Sequence, residues 1–496
     1  MSEAKREEGK EAGLATGGDD FAALLQKEFK PKTDRAKERV EAAVRTLAQQ
    51  ALDNAKVVGS DVFATIDALK AELDRKLSEQ INHILHNPEF QQLESSWRGL
   101  SYLVDNSETG KDVKIKVMNI TKSELGKMFK QYKGQSWDQS PLFKKVYEAE
   151  YGQLGGQPYG TLIGDYYFDH TPPDVDILAG LAKIGSAAHA PFISAAGPSL
   201  MGMDNWQQIV NPRDLGKLFD TIDYAEWRAF RESEDSKYVA LAMPRFLSRR
   251  PYGAKSEPVD EFAFEEDSGG GDASKYAWNN AAYAMAVNIN RSFKDYGWCS
   301  RIRGVQSGGL VEDLPFATFP TDDGAVDMKC PTEVAISDRR EAELSAAGLL
   351  PLIHRKNTNA AAFLGAQSAQ KPKRYEDPAA TSNANLAARL PYLFASCRFA
   401  HYLKCMVRDW VGKFADAASL ERDLNSWVQQ YVDQQPDSST EETKSRQPLR
   451  DASIVVTADE ENPGYYKGAF RFVPHYQLEG MDIGISMVSR LPKGKN

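Results

Sequence analysis

The chain has 496 residues, of which 42% are hydrophobic and 26% are charged, a balance typical of a globular protein rather than a disordered or fibrous one. Its length exceeds the size at which one hydrophobic core stops growing, so the sequence predicts two or three domains. The formal net charge of −9 argues against a general nucleic-acid binder, because Lys and Arg are not in excess to neutralise phosphates.

The N-terminal residues and the cysteines indicate the cellular compartment of the protein. The N-terminal region lacks the apolar stretch of a signal peptide, and no run of about eighteen apolar residues is present to span a bilayer. The 4 cysteines show no CxxC spacing, which favours a reducing compartment and argues against a zinc site. The sequence therefore predicts a cytoplasmic protein without membrane insertion, a metal or a nucleic-acid partner.

An amphipathic helix is predicted near the N-terminus, in "GGDDFAALLQKEFKPKT". Its apolar residues recur at i, i+3, i+4 and i+8 and therefore share one face: Phe21, Leu24, Leu25 and Phe29. Pro31 ends the helix. The residues before it are charged or small and supply nothing for a core. The helix therefore packs on its own domain or serves as a recognition element for a partner.

Helices precede strands in the first part of the chain. The segments "DVFATIDALKAELDRKLSEQINHILHNP" and "FQQLESSWRGLSYLVDNSE" carry apolar stripes at helical spacing. The period changes in "DVKIKVMNI", where Val113, Ile115 and Val117 alternate with other side chains, and this predicts a half-buried strand. Thr121 and Glu124 then supply a capping box for a further helix.

Strands and helices alternate through the middle of the chain. The segments "YGTLIGDYYFD" and "APFISAAGP" predict strands on either side of the helix "PDVDILAGLAKIGSAAH". A similar unit joins "YVALAMPRFLSRRPYG" to the helix "YAWNNAAYAMAVNINRSFKDYG". The acidic, Gly-rich segment between them predicts a surface loop. This alternation predicts a sheet with covering helices.

The C-terminal part predicts long helices and then strands. The helices are predicted in "LAARLPYLFASCRFAHYLKCMVRDWVGKF" and "DAASLERDLNSWVQQYVDQQ", and the strands in "ASIVVTAD", "YYKGAFRFVPHYQL" and "DIGISMVSRL". The fold class is thus mixed α/β, with N-terminal helices, central sheets covered by helices and a C-terminal β element whose edges need a cover. The predicted domains are a flexible leader with helices at 1–60, a central α/β part at 61–390 and C-terminal helices and strands at 391–496.

The sequence contains no motif for catalysis or for a cofactor. The strings GxxxxGK[ST], GxSxG and HExxH are absent, so the common nucleotide-binding, hydrolase and zinc-protease sites lack their residues. Glu265 and Glu266 lie in an acidic cluster that is suited to acid–base work, although a solvated loop is the commoner meaning. Two alternatives remain open at this point: a cytoplasmic enzyme with an unrecognised carboxylate site, and a soluble adaptor or chaperone.

Several strings resemble one family over most of the chain. They are "FQQLESSWRGLSYLVDNSETGKDVKIKVMNITKSEL", "RRPYG", "YAWNNAAYAMAVNI", "PTEVAISDRREAELSAAGLLPLIHRKNTNAAAFLGAQS" and "NLAARLPYLFASCRFAHYLKCMVRDWVG". They are similar to the large subunit of the type VI secretion contractile sheath, the TssC or VipB family, and occur in the family's order.

The resemblance implies a structural protein without an active site or cofactor. Family members pair with the small sheath subunit, TssB or VipA, and the heterodimers stack as six-fold rings in a helical tube around an inner tube of Hcp. The sheath is anchored to the envelope through a baseplate, and its contraction drives the inner tube into a target cell. The AAA+ ATPase ClpV then disassembles the contracted sheath and engages a short N-terminal helix of the large subunit.

The resemblance also implies roles for two sets of residues. The ATPase-recognition helix would use the apolar face formed by Phe21, Leu24, Leu25 and Phe29. Strand pairing between protomers, by main-chain hydrogen bonds, would use Phe470, Phe472, Val473, Ile483, Ile485 and Met487. Phe472→Pro is accordingly predicted to remove a ladder hydrogen bond and to block sheath assembly while sparing the heterodimer.

Overall fold

The computed structural model describes residues 62–210, 215–268, 272–320, 326–410, 417–458 and 466–475, together with the helical residues 35, 38, 39 and 42. The described residues within 1–90 and 250–275 form one compact unit, and those within 91–249 and 276–496 form the other. Among them, no helix is both long and apolar enough to cross a bilayer. The predicted domain boundaries stay a prediction.

Helices account for most of the regular structure. The α-helices are α1 (Val62–Leu85), α2 (Pro88–Asp105), α3 (Lys122–Gln131), α4 (Pro141–Phe143), α5 (Pro172–Ala188), α6 (Leu215–Leu218), α7 (Ala225–Glu232), α8 (Ala281–Tyr296), α9 (Asp338–Ala346), α10 (Pro378–Ala387), α11 (Leu390–Asp409), α12 (Ala417–Val428) and α13 (Glu441–Arg446). A π-helical segment spans Lys144–Tyr151. Shorter 3₁₀ turns are Gly134–Gln139, Pro198–Met201, Trp206–Val210, Ile222–Tyr224, Asp235–Tyr238, Ala273–Lys275 and Gln429–Tyr431.

The strands in the described ranges form one large sheet and three small ones. They are β1 (Leu162–Phe168), β2 (Phe192–Ala196), β3 (Val239–Met243), β4 (Phe246–Leu247), β5 (Trp278–Asn279), β6 (Leu310–Val311), β7 (Ala317–Pro320), β8 (Val326–Lys329), β9 (Leu349–His354), β10 (Ala361–Phe363), β11 (Leu449–Ala458) and β12 (Tyr466–Pro474). The large sheet has the order β1-β2-β3-β9-β10-β6. Strands β1, β2, β3 and β9 run parallel, and β10 is antiparallel to both neighbours.

Strand β3 lies at the centre of this sheet and is buried on both faces. Val239, Leu241 and Met243 belong to one hydrophobic cluster, whereas Ala240 and Ala242 belong to another, because successive side chains point to opposite faces. Helices α5 and α7 contribute to the first cluster, and α8 and α11 to the second. Burial from both sides explains why these strands are continuous apolar runs rather than alternating ones.

A separate core holds the C-terminal elements together. It combines side chains from α11, α12 and β11 around Phe399, whose side chain is fully buried. The ring of Phe399 lies 4.5 Å from that of Trp298, 5.7 Å from Tyr431 and 4.9 Å from Phe472, measured between centroids. This aromatic cluster packs the terminal hairpin β11–β12 against the helices.

The structure confirms the mixed α/β class and most of the predicted elements, with one clear exception. The capping box is present: the Thr121 hydroxyl accepts from the amide of Glu124, and the Glu124 carboxylate accepts from the amide of Thr121. The strand predicted from the alternation at residues 113–120 is wrong, because this segment belongs to neither helix nor strand. The alternation is real, but a strand also requires a ladder partner.

His401 makes the fold sensitive to acid. The residue is only 2% exposed, and its Nε2 lies 2.9 Å from the carbonyl oxygen of Ala188 at the end of α5. Burial lowers the pKa of His401 to about 4 and outweighs the hydrogen bond to Ala188, which raises the pKa. The unfolded chain therefore binds this proton at a higher pH than the folded chain does. The free energy of unfolding is expected to fall as the pH drops from about 6.5 to 4, by roughly 3 kcal/mol.

This pH dependence is measured by urea unfolding at pH 7 and at pH 4.5. His401→Gln retains a donor for the carbonyl of Ala188 but cannot titrate, so the variant should lose less stability between the two pH values than the parent chain. An equal acid-induced loss in both chains would contradict the assignment to His401.

Candidate strand-pairing site

The terminal hairpin β11–β12 carries the described part of the predicted strand-pairing residues. The two strands are antiparallel, with Ile454 opposite Phe470 and Ala452 opposite Phe472. β-Branched residues such as Ile454 and Val456 favour the extended conformation and bury one face of β11 in the C-terminal core. A two-stranded sheet has two outer edges, and their accessibility decides where another strand can add.

The outer edge of β11 is covered by side chains of helix α12 and of the 3₁₀ turn that follows it. Gln429 donates to the carbonyl oxygen of Ala452 at 3.1 Å, and Asn425 donates to that of Ile454 at 2.7 Å. Asn425 also accepts from the amide of Ile454 at 3.0 Å. Two residues further along β11, the amide of Val456 donates to the Glu421 carboxylate at 2.8 Å.

The start of β11 is covered in the same way. The carbonyl oxygen of Leu449 accepts from the amide of Asp433 at 2.9 Å, and Val432 forms an isolated parallel bridge with Leu449. Because these groups already have partners, β11 offers no regular edge for a further strand.

The hydrogen bonds of β11 determine which backbone groups of β12 face outward. Residues opposite each other in an antiparallel pair either exchange both backbone bonds or direct both away from the partner strand. The amide and carbonyl of Ile454 point to α12, so those of Phe470, opposite it, point to the outer edge of β12. The same argument places the backbone groups of Phe472, opposite Ala452, on that edge.

Val473 differs from the two phenylalanines. It lies opposite Asp451, one residue out of phase with Ala452, so its backbone groups face β11 rather than the outer edge. Of the described predicted residues, the geometry therefore brings Phe470 and Phe472 together on the outer edge of β12, with which no described strand pairs, and leaves Val473 within the hairpin. The predicted Ile483, Ile485 and Met487, and the helix residues Phe21, Leu24, Leu25 and Phe29, lie outside the described residues.

The side chains of the two phenylalanines have different surroundings. Phe472 is half-buried, and its ring stacks on Phe399 in the C-terminal core. Phe470 stacks on Phe472 with 6.3 Å between ring centroids but remains 44% exposed. Phe472→Pro would therefore disturb the core as well as the edge, and Phe470 is the sharper position for a test.

The edge-covering residues Glu421, Asn425 and Gln429 were not predicted from the sequence. They recur at intervals of four residues, so they form one polar stripe along α12 and the first residue of the 3₁₀ turn after it, beside the buried stripe of Leu420 and Leu424. A polar stripe at this spacing is common on solvent-exposed helices, and only the position of β11 shows that it meets a strand edge.

The two glutamates of the alternative enzyme hypothesis bind their own loop. The Glu266 carboxylate accepts from the amide of Tyr252 at 2.8 Å, and the Glu265 carboxylate accepts from that of Ala254 at 3.0 Å. The side chain of Glu266 is 3% exposed and lies 3.8 Å from His86. These contacts favour a structural role. In the part of the chain that the structure describes, no group of three His, Cys, Asp or Glu residues is placed to hold a metal.

Two family models and a protein of known role are similar to this chain. Residues 67–370 match the VipB family model of the EvpB tail sheath N-terminal domain, and residues 379–491 match the model of the tail sheath gpW/gp25-like domain. The chain is also 62% identical, over 96% of both chains, to the type VI secretion system sheath protein TssC1 of Pseudomonas aeruginosa strain PAO1.

The chain belongs to the VipB family of type VI secretion sheath large subunits. A solved structure, the baseplate of the anti-feeding prophage, is similar with a TM-score of 0.37 at 11% identity, over 78% of this chain and 85% of that chain. The hairpin β11–β12 lies within the gpW/gp25-like domain of the VipB family, and β1, β2, β3 and β9 lie within the N-terminal domain.

Proposed function

We propose that this VipB-family sheath subunit joins its neighbours by accepting a strand at the outer edge of β12. The observation that carries the proposal is the asymmetry of the hairpin: Asn425 of α12 and Gln429 just after it cover the edge of β11, whereas the backbone groups of Phe470 and Phe472 face outward. Main-chain hydrogen bonds at such an edge supply affinity without a deep pocket. The half-exposed ring of Phe470 supplies an apolar contact for the incoming strand.

In this proposal the chain forms a heterodimer with the small sheath subunit, TssB or VipA, in the cytoplasm. The heterodimers stack in six-fold helical rings around an inner tube of Hcp, and a baseplate anchors the tube to the envelope. Contraction exchanges one packing of rigid subunits for another, and strand pairing keeps neighbours connected while their other faces repack. The sheath role needs no active site, which agrees with the absence of the common catalytic strings from the sequence.

Co-expression with the small sheath subunit tests the proposal. The expected result is hollow tubules in negative-stain electron micrographs, with a cogwheel outline in cross-section. A monodisperse chain that ignores the small subunit would contradict the assembly role and would return attention to the adaptor and enzyme alternatives.

The proposal also includes recycling by the ClpV ATPase through the N-terminal helix. The residues of its apolar face have the spacing of a helix that binds in a groove, and the leader before it is charged. Replacing Leu24 and Leu25 together with Asp should abolish ATPase binding, because two charges would have to be buried in an apolar groove. Tubule formation should be unchanged.

The measurement is the rate at which purified ATPase disassembles contracted tubules, followed by light scattering. Asp19→Asn with Asp20→Asn provides a control outside the apolar face and should be disassembled at close to the parent rate. Normal disassembly of the Leu24→Asp, Leu25→Asp variant would show that this helix is not the recognition element.

A further inference from the structure

The 113–120 segment has the sequence of a strand but lacks a strand's hydrogen bonds. Apolar residues alternate from Val113 to Val117, yet within the described residues the amides of 114–119 donate to no backbone carbonyl. An extended segment with unpaired amides and carbonyls is a template for another strand. The pattern and the structure thus disagree in a way that an added strand would resolve.

Contacts near its two ends hold this segment in place. Val113 is buried, and Ile115 packs against a small hydrophobic cluster that contains Leu103. At the other end, the Tyr166 hydroxyl donates to the carbonyl oxygen of Ile120 at 2.7 Å. The segment is therefore fixed at both ends, so an incoming strand would not have to order it first.

The middle of the segment exposes apolar side chains. Val117 is 69% exposed and Met118 is 47% exposed, although Val117 continues the apolar face that Val113 and Ile115 bury. Val117 and Met118 would lie on opposite faces of an extended segment, and both lie outside the chain's own core. A strand paired alongside would shield these side chains.

The surroundings of the segment are basic. Residues 111–130 contain six lysines and two acidic residues, whereas the whole chain has a net charge of −9. Lys116 and Lys122 are ion-paired with Glu150 and Asp174, and Lys114 bonds to the neutral side chain of Gln157 at 2.7 Å. Lys127, Lys130 and Lys183 line a groove beside α3 that also contains Asp174 and Asp176. The six lysines still outnumber the carboxylates when Glu150 and Asp174 are added to the two acidic residues of the segment, and this excess of positive charge favours an acidic strand as the partner.

We propose that the 113–120 segment pairs with a β-strand of a different polypeptide, an extended segment with apolar residues at alternate positions and acidic residues near the lysines. The proposal rests on the heterodimer of the proposed function, because it assigns this strand to the small sheath subunit. It adds a second strand-pairing site, at the large sheet rather than at the terminal hairpin.

Hydrogen exchange of the backbone amides tests the proposal directly. In the isolated full-length chain the amides of 114–119 should exchange as fast as those of exposed loops. In the co-purified complex with the small sheath subunit, alternate amides of this segment should exchange at least tenfold more slowly. Protection already present in the isolated chain would overturn the proposal, because an internal segment or a second copy would then occupy the site.

Proline substitutions supply an independent measurement. Consecutive amides of an extended segment point to opposite edges, so one of the variants Val117→Pro and Met118→Pro must remove a ladder donor. That variant should bind the small subunit at least tenfold more weakly, with an unchanged midpoint of thermal unfolding. Val117→Thr and Met118→Thr keep the amides and serve as matched controls.

The outcomes separate this inference from the function on which it rests. If the parent chain forms the complex but the amides of 114–119 remain fast, or both proline variants bind like the parent, this second site is wrong and the sheath role stands. If the parent chain does not bind the small subunit at all, the proposed heterodimer fails and the strand-pairing inference fails with it.

Discussion

Phe470→Pro is expected to abolish tubule assembly while leaving the chain folded. Proline removes the amide hydrogen of residue 470, which points to the outer edge of β12 and takes part in no bond to β11. The proline ring also occupies the space that the backbone of an incoming strand needs. Because every subunit of a tube would use the same edge, a loss of about 1 kcal/mol or more per contact is repeated at each junction.

Two variants of the same strand make this result interpretable. Phe470→Thr removes the ring but keeps the amide, so it should still assemble, with tubules that are less stable. Arg471→Pro removes an amide that faces Ser453 within the hairpin, so it should destabilise the hairpin itself. The measurements are tubule counts by negative stain and the midpoint of urea unfolding. Normal tubules from Phe470→Pro would contradict the assignment of this edge.

Phe399→Ala is expected to lower the free energy of unfolding of the C-terminal core by about 3–5 kcal/mol. The ring is fully buried and lies between Trp298, Tyr431 and Phe472, so its removal leaves a cavity that rigid aromatic neighbours cannot fill. Because Phe472 stacks on this ring, β12 should lose its anchor as well.

The expected readouts are faster amide exchange in β11 and β12, and loss of tubules at temperatures where the parent chain assembles. Val407→Ala is a matched control on the same helix, since Val407 is 40% exposed and its truncation should cost less than about 0.5 kcal/mol. Parent-like exchange in the hairpin of the Phe399→Ala variant would mean that β12 is held by other contacts.

Local sequence patterns predicted the elements whose cause is local. The capping box of α3 follows from Thr121 and Glu124 three residues apart, and the structure has both of its hydrogen bonds. The apolar run of β3 predicted a buried strand, and both of its faces are in fact covered by helices. In each case the residues that determine the structure are neighbours along the chain.

Two predictions depended on contacts that no local pattern contains. The alternation at 113–120 predicted a strand, but a strand is defined by a partner, and the described chain provides none for this segment. The strand of β12 was predicted correctly, yet the pattern treated Phe470, Phe472 and Val473 alike. The register with β11 separates them, since it directs the backbone of the two phenylalanines outward and that of Val473 inward.

The sequence by itself determined the mixed α/β class, most of the helices and strands, and the resemblance to the sheath family, because periodicity and characteristic strings are properties of neighbouring residues. Only the tertiary structure decided which edge of the hairpin β11–β12 the described residues leave uncovered. Asn425 and Gln429 donate to carbonyls of β11 that lie more than twenty residues further along the chain. These bonds determine which backbone groups of β11 face β12, and therefore which groups of β12 face outward. A bond between distant residues leaves no periodic trace in the sequence.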